Sequence, residues 1–139
     1  MKYCFVLIAF VILSSCDNKA GPQLNPKESE TSTKPIGFKS GVFQDLNVPQ
    51  SMSIPEAIYL DVRTQEEIDE GTIPNSLHID FRKDNFKEEV LKLDKSKAYI
   101  VYCRSGGRST KASKLMVDLG FEKIANMAGG YNEYKVVMQ

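Results

Sequence analysis

The chain has 139 residues, 42% of them apolar and 26% charged, an ordinary globular composition that excludes a wholly disordered or collagen-like polymer and allows one domain rather than two. Eighteen Lys and Arg balance eighteen Asp and Glu, and the arginines form no stripe, so the electrostatic attraction that nucleic-acid binding requires is missing and no DNA or RNA partner is expected. One histidine and three widely spaced cysteines match no zinc signature, so neither a metal nor another cofactor is expected.

Residues 1–15 read as a signal peptide. Met1-Lys2 is a short positive start, and Phe5 to Leu13 is an unbroken apolar run. That run is too short to span a bilayer, which takes roughly twenty residues. Leu13-Ser14-Ser15-Cys16 resembles the bacterial lipobox, in which the cysteine thiol is acylated and the preceding peptide removed. The resemblance implies a protein exported to the cell envelope and lipid-anchored to a membrane through Cys16, on its periplasmic or surface side. The alternatives are an ordinary cleaved signal peptide or an uncleaved anchor. With Cys4 lost and Cys16 lipidated, Cys103 is the single thiol of the folded part, and no intramolecular disulfide is available to it. An unpaired thiol in an oxidising compartment calls for a chemical reason.

Residues 16–39 carry Pro22, Pro26, Pro35, Gly21 and Gly37 among Ser, Thr, Lys and Glu, the composition of a flexible linker. Its reach is roughly 25–30 Å by the random-coil rule. The sign of its charges alternates, so it forms no polybasic membrane patch.

Residues 40–139 form the folded domain, in which strand-like and helix-like segments alternate. Val42 to Pro55 carries a weak first strand and helix. Ala57 to Val62 reads as a buried parallel strand. Thr64 and Glu67 have the spacing of a capping box, and Gly71 closes the short helix they open. Leu77 to Ile79 is a second short strand, and Asn85 to Leu93 a helix capped by Asp84, with Phe86 and Val90 on one face. Ala98 to Tyr102 is the most strand-like stretch of the chain and runs straight into Cys103. Ser109 to Leu119 is a helix whose Ala112, Leu115, Met116 and Leu119 follow helical spacing, ended by Gly120. Lys123 to Met127 is a strand, Gly129-Gly130 a turn, and Tyr131 to Val137 a last helix. This alternation predicts an α/β fold with a parallel sheet covered on both faces.

In such a sheet ligands bind beyond the carboxyl ends of the strands, where Cys103 falls. Cys103-Arg104-Ser105-Gly106-Gly107-Arg108 has two glycines that let the backbone turn its N–H groups inward as an anion cradle. The following helix adds the positive end of its dipole, and both arginines favour thiolate over thiol. The gain is large: a free thiol of pKa ~8.5 is about 3% ionised at pH 7, whereas one of pKa about 6 is roughly 90% ionised.

Leu60-Asp-Val-Arg-Thr-Gln-Glu-Glu67, Gly71-Thr-Ile-Pro-Asn-Ser76, Cys103-Arg-Ser-Gly-Gly-Arg-Ser109 and Gly129-Gly-Tyr-Asn-Glu-Tyr134 together resemble a single-domain rhodanese, in this order and spacing. The resemblance implies a rhodanese-like fold with about five parallel strands between helices. It implies a catalytic Cys103 that takes sulfur from a donor such as thiosulfate, becomes a persulfide and passes the sulfur to a thiol or other thiophilic acceptor. Arg104 is then expected to contact an anionic donor, the N–H groups from Arg104 to Arg108 to hold the outer sulfur, and Arg108 to brace the loop with Asp61, Arg63 or Glu67 as ionic partners. Asn75-Ser76 stand where the family more usually has Gly-Ala, and Tyr134 where it often has Trp. Tyr131 and Tyr134 are expected to pack, and His78 is given no catalytic role.

The alternatives are a persulfide-binding, sensing or sulfur-carrier module without turnover, and phosphatase or arsenate-reductase-like chemistry. The cell-cycle dual-specificity phosphatases, which this fold also resembles, place arginine six residues after the cysteine and usually a histidine before it. Here the arginine is five after, Tyr102 precedes, and Ser109 is sixth. The shorter loop suits one sulfur rather than a phosphoryl group.

Overall fold

A computed structural model describes residues 37–139; the expected signal peptide, Cys16 and all but the last three linker residues lie outside them. Five strands, β1 (Gln44–Leu46), β2 (Ile58–Asp61), β3 (Leu77–His78), β4 (Ala98–Tyr102) and β5 (Lys123–Met127), form one parallel sheet in the order β1-β5-β4-β2-β3. The helices are α1 (Val48–Met52), α2 (Gln65–Asp69), α3 (Phe86–Val90), α4 (Gly107–Asp118) and α5 (Gly130–Val137).

The two-residue period of the strands divides the core. From β4, Tyr99 and Val101 join Leu60, Val62 and Ile124 beneath Phe86 and Val90 of α3 and Ala112 and Met116 of α4. Ile100 and Tyr102 point the other way, joining Leu46, Ala125 and Met127 beneath Val48 of α1 and Tyr131 of α5. Phe38, just before the domain boundary expected at residue 40, packs against this second cluster. Helices therefore cover both faces, as expected, and Cys103, next in the alternation after Tyr102, turns to the α4 side.

Several bounds differ from expectation for local reasons. The α4 helix begins at Gly107 rather than Ser109, because Gly106 at φ +96° turns the chain into the helix two residues early. The α3 helix stops at Val90 rather than Leu93: Lys92 and Leu93 donate to the carbonyls of Glu89 and Val90 in tight i to i−3 turns, and the capping position belongs to Asn85, not Asp84. In the first segment, Asn47 and Gln50 form a reciprocal capping box that sets α1, with Gln50 N–H donating to Asn47 Oδ1 at 2.9 Å and Asn47 N–H to Gln50 Oε1 at 3.0 Å. Asn75, in place of the more usual glycine, is the only non-glycine at positive φ among the described residues, at +64°, a conformation asparagine tolerates.

Candidate active site

Cys103 follows the last residue of β4 and is 2% exposed. Its Sγ accepts a hydrogen bond from Gly106 N–H at 3.2 Å, and Ser109 Oγ lies 3.6 Å away. The loop's carbonyls are held on the opposite side. Tyr131 N–H at the start of α5 donates to Cys103 C=O at 2.8 Å, and Asn132 N–H donates to Arg104 C=O at 3.0 Å. This approach is possible because Gly130 has φ +61° and no side chain: a Cβ there would lie 2.4 Å from Cys103 C=O. With the carbonyls anchored behind the loop, its N–H groups turn toward the sulfur.

Burial disfavours the Cys103 thiolate, but the main-chain N–H and hydroxyl of Ser109 and the main chain of Ser105 and Arg108 outweigh it, and the thiol lies below its ordinary pKa. Of the cradle expected from Arg104 to Arg108, Gly106 N–H donates to the sulfur and the main chain of Ser105 and Arg108 favours its ionised form, and Ser109 adds a donor beyond that stretch. The Ser109 hydroxyl also reaches Gly106 C=O at 2.9 Å, so its single proton serves either the carbonyl or the sulfur.

The sulfur opens onto a cleft of about 570 Å³ whose lining includes Cys103, Arg104, Ser105, Gly107 and Arg108. Arg104 is exposed there and makes no ion pair among the described residues. Arg108 forms a bidentate pair with Glu67, at 2.6 and 2.7 Å. The same Glu67 carboxylate accepts from Thr64 N–H at 3.2 Å, so it caps α2 and braces the loop together. The Arg108 hydrogen bonds hold Glu67 at a pKa of about 2 against the opposing effect of burial, and the Thr64 N–H lowers it further.

Asp61 and Arg63 do not pair with Arg108. Leu60 and Val62 point to the α4 side, so Asp61 between them points to the α5 side, away from the cleft. There it is fully buried and paired with Arg63, whose Nη2 lies 2.7 Å from Asp61 Oδ2. Arg63 also donates to the carbonyls of Glu67 (3.0 Å) and Gly71 (2.7 Å), and its guanidinium lies 4.1 Å from the Tyr131 ring centroid. Thr72 Oγ1 completes the cluster, 3.0 Å from Asp61 Oδ2 and 2.8 Å from Tyr102 Oη. Tyr102 Oη also meets Ser76 Oγ at 2.8 Å; burial pushes the phenol up to about 12 despite these hydrogen bonds, so it stays neutral. His78 is bound through Nε2 to Arg63 C=O at 2.8 Å, outside the cleft, and Tyr131 stacks on Tyr134. The sequence reasoning missed Ser109 as a donor and Phe81, Arg82 and Lys111 as cleft residues. Ser109's place directly after the loop was a usable signal; the other three come together only through the fold.

The family model described as "Rhodanese-like domain" matches residues 48–136. YtwF of Bacillus subtilis, named as a candidate sulfurtransferase, is 42% identical over 82 residues, covering 58% of this chain and 77% of that protein. The tRNA uridine(34) hydroxylase of Hamiltonella defensa is 31% identical over 93 residues, covering 63% of this chain but only 26% of that protein. The chain thus spans about a quarter of that relative. The solved human single-domain sulfurtransferase is 25% identical with a TM-score of 0.59, covering 68% of this chain and 97% of that one. Matched along most of its length and carrying the buried cysteine at the end of the central strand, the chain belongs to the rhodanese-like domain family.

Proposed function

We propose that the protein is a sulfurtransferase that moves sulfane sulfur from an anionic donor such as thiosulfate to a thiophilic acceptor through Cys103. The Cys103 thiolate attacks the outer sulfur of thiosulfate. The sulfur–sulfur bond to sulfite breaks, sulfite leaves with the bonding pair, and Cys103 becomes a persulfide. An acceptor then attacks the outer sulfur and releases the thiolate, so the enzyme undergoes no net oxidation. Ionised sulfur is the nucleophile this step needs, and main-chain donors stabilise it together with the Ser109 hydroxyl. The single observation that carries the reading is a buried Cys103 Sγ facing Gly106 N–H at 3.2 Å at the base of a cationic cleft. Arg104 is the contact for the donor's oxyanion, Arg108 braces the loop, and Asp61 and Arg63 support it from the far face.

The test is thiocyanate formation by the purified protein from thiosulfate and cyanide. Activity in the wild type that vanishes in Cys103→Ser, with a mass gain of one sulfur atom on wild-type Cys103, is the expected result. A persulfide adduct without thiocyanate would mean carriage rather than turnover, and identical behaviour of wild type and Cys103→Ser would overturn the reading. By its first sixteen residues alone, the protein works in a bacterial envelope, anchored by lipid on Cys16. Mass spectrometry of the mature N-terminus should find diacylglycerol on that cysteine, and an unmodified first residue would refute the anchor.

A further inference from the structure

We infer that the outer part of the Cys103 cleft is a second anion subsite, formed by Arg82 and Lys111, that selects a small organic thiol carrying more than one carboxylate as the partner exchanging sulfur with Cys103. This deepens the sulfurtransferase reading and rests on it.

The first support is size. The cleft, at about 570 Å³, is several times larger than an anion of five heavy atoms needs. It lies instead within the ~300–1,000 Å³ range of pockets for organic ligands. Half-buried Phe81 gives the cleft an apolar wall against which a carbon skeleton can rest.

The second support is charge. Four cations line the cleft, Arg82, Arg104, Arg108 and Lys111, against the single carboxylate of Glu67. Glu67 is committed to Arg108. The other ion pairs among the described residues are Arg63–Asp61 and Lys92–Glu89, so Arg82, Arg104 and Lys111 have no carboxylate partner. Of the two acids two residues away from Arg82, Asp80 accepts from its main-chain N–H at 2.9 Å rather than from its guanidinium, and Asp84 forms no ion pair with it. Three uncompensated positive charges are thus gathered on one cleft of a chain whose formal net charge is zero.

The third support is that this placement runs against local stability. A helix N-terminus favours acidic residues, yet α4 has none in its first turn and carries Arg108 and Lys111 near its start. A departure from local preference beside the reacting sulfur is expected where a ligand supplies the missing charge. Arg104 and the sulfur-facing N–H groups suffice for one compact oxyanion at the thiol. Arg82, from the segment between β3 and α3, and Lys111, from α4, are left for carboxylates further out.

The chemistry balances without an oxidant. A thiolate attacks the outer sulfur of the Cys103 persulfide, one sulfur–sulfur bond breaks as another forms, and the bonding pair returns to Cys103 as thiolate. The reverse reaction loads Cys103 from an organic persulfide.

The test loads Cys103 with thiosulfate, removes the excess, and follows loss of the persulfide on mixing with cysteamine, 2-mercaptoethanol, mercaptoacetate or mercaptosuccinate, with rates corrected to thiolate concentration. Each exposed carboxylate–cation contact is worth roughly threefold at low ionic strength, so mercaptosuccinate should outrun 2-mercaptoethanol by roughly tenfold and cysteamine should be slowest. Added salt should erode the ratio. In the Arg82→Gln/Lys111→Gln double variant the ratio should fall toward one. Because it is internal to each protein, a general loss of reactivity cancels. A ratio near one in the wild type, or one unchanged in the double variant, overturns the subsite while leaving the sulfurtransferase reading intact. Failure of Cys103 to form a persulfide from thiosulfate or an organic persulfide overturns both.

Discussion

Glu67→Gln keeps the size of the side chain and removes the charge from the pair that braces Arg108. A fall of the Glu67 carboxyl from its usual 4.5 to about 2 corresponds, at 1.36 kcal/mol per pKa unit, to about 3 kcal/mol as a ceiling. The two side chains are 19% and 21% exposed, so water and salt screen the pair and about 1–2 kcal/mol is expected at pH 7. The sign in pH follows from the depressed value. The stabilisation is complete above 4.5, where the unfolded carboxyl is also ionised, and is lost as pH falls through the window from 4.5 to about 2. Urea denaturation of wild type and Glu67→Gln at a series of pH values reads this directly. The gap should be about 1–2 kcal/mol at pH 7 and close toward zero near pH 2. A gap independent of pH between 7 and 2.5 would show that Glu67 acts through packing and capping rather than charge, and the electrostatic account of the brace would be wrong.

Ser109→Ala removes a buried donor to Cys103 Sγ, so the pH midpoint for alkylation of Cys103 should move up toward that of an ordinary thiol while Ser109→Thr, which keeps the hydroxyl, stays near wild type; equal midpoints in all three proteins would remove Ser109 from the cradle. Gly130→Ala combines a positive φ with a clash against the Cys103 and Arg104 backbone, and should cost more than about 2 kcal/mol, whereas Gly120→Ala, at φ +88° with nothing within 4 Å of its Cβ, should cost only the strain of about 1 kcal/mol. Thermal melts of the two variants separate these, and equal losses would mean that the contact of α5 with the loop is not what requires glycine.

The elements legible in the sequence are those whose signal is local. The bounds of β4 and β5 match expectation: Ala98–Tyr102 is a short apolar run buried from Tyr99 onward, and Lys123–Met127 starts on an exposed lysine and is buried from Ile124 onward. The capping box of Thr64 and Glu67 and the sulfur-facing loop were equally readable. What escaped required knowing which way a strand faces. Asp61, Arg63 and Glu67 all lie near the end of β2, and position along the chain does not separate them as partners for Arg108. Only the parity that sends Leu60 and Val62 to the α4 side makes Asp61 a member of the opposite face. The α1 cap shows a milder failure: Asn47 and Gln50 have the right spacing, but the Pro and Met residues around them mask the helix. Arg82 and Lys111 are 29 residues apart in number and meet at one cleft through tertiary structure alone.

The same parity explains why a buried ion pair stands beside a loop it never faces. Taking Asp61 and Arg63 out of water is expensive, and such a pair is weak evidence for net stability. Its value here is positional. Through Nη1 Arg63 holds the Glu67 carbonyl of α2, and the Glu67 carboxylate grips Arg108 on the cleft side of the loop. Through its guanidinium face it packs on Tyr131, whose N–H holds Cys103 C=O on the other side. Both braces of the sulfur loop therefore run back to one side chain, so a change at Arg63 should disturb Cys103 ionisation and Arg108 placement together, although Arg63 touches neither the sulfur nor the cleft.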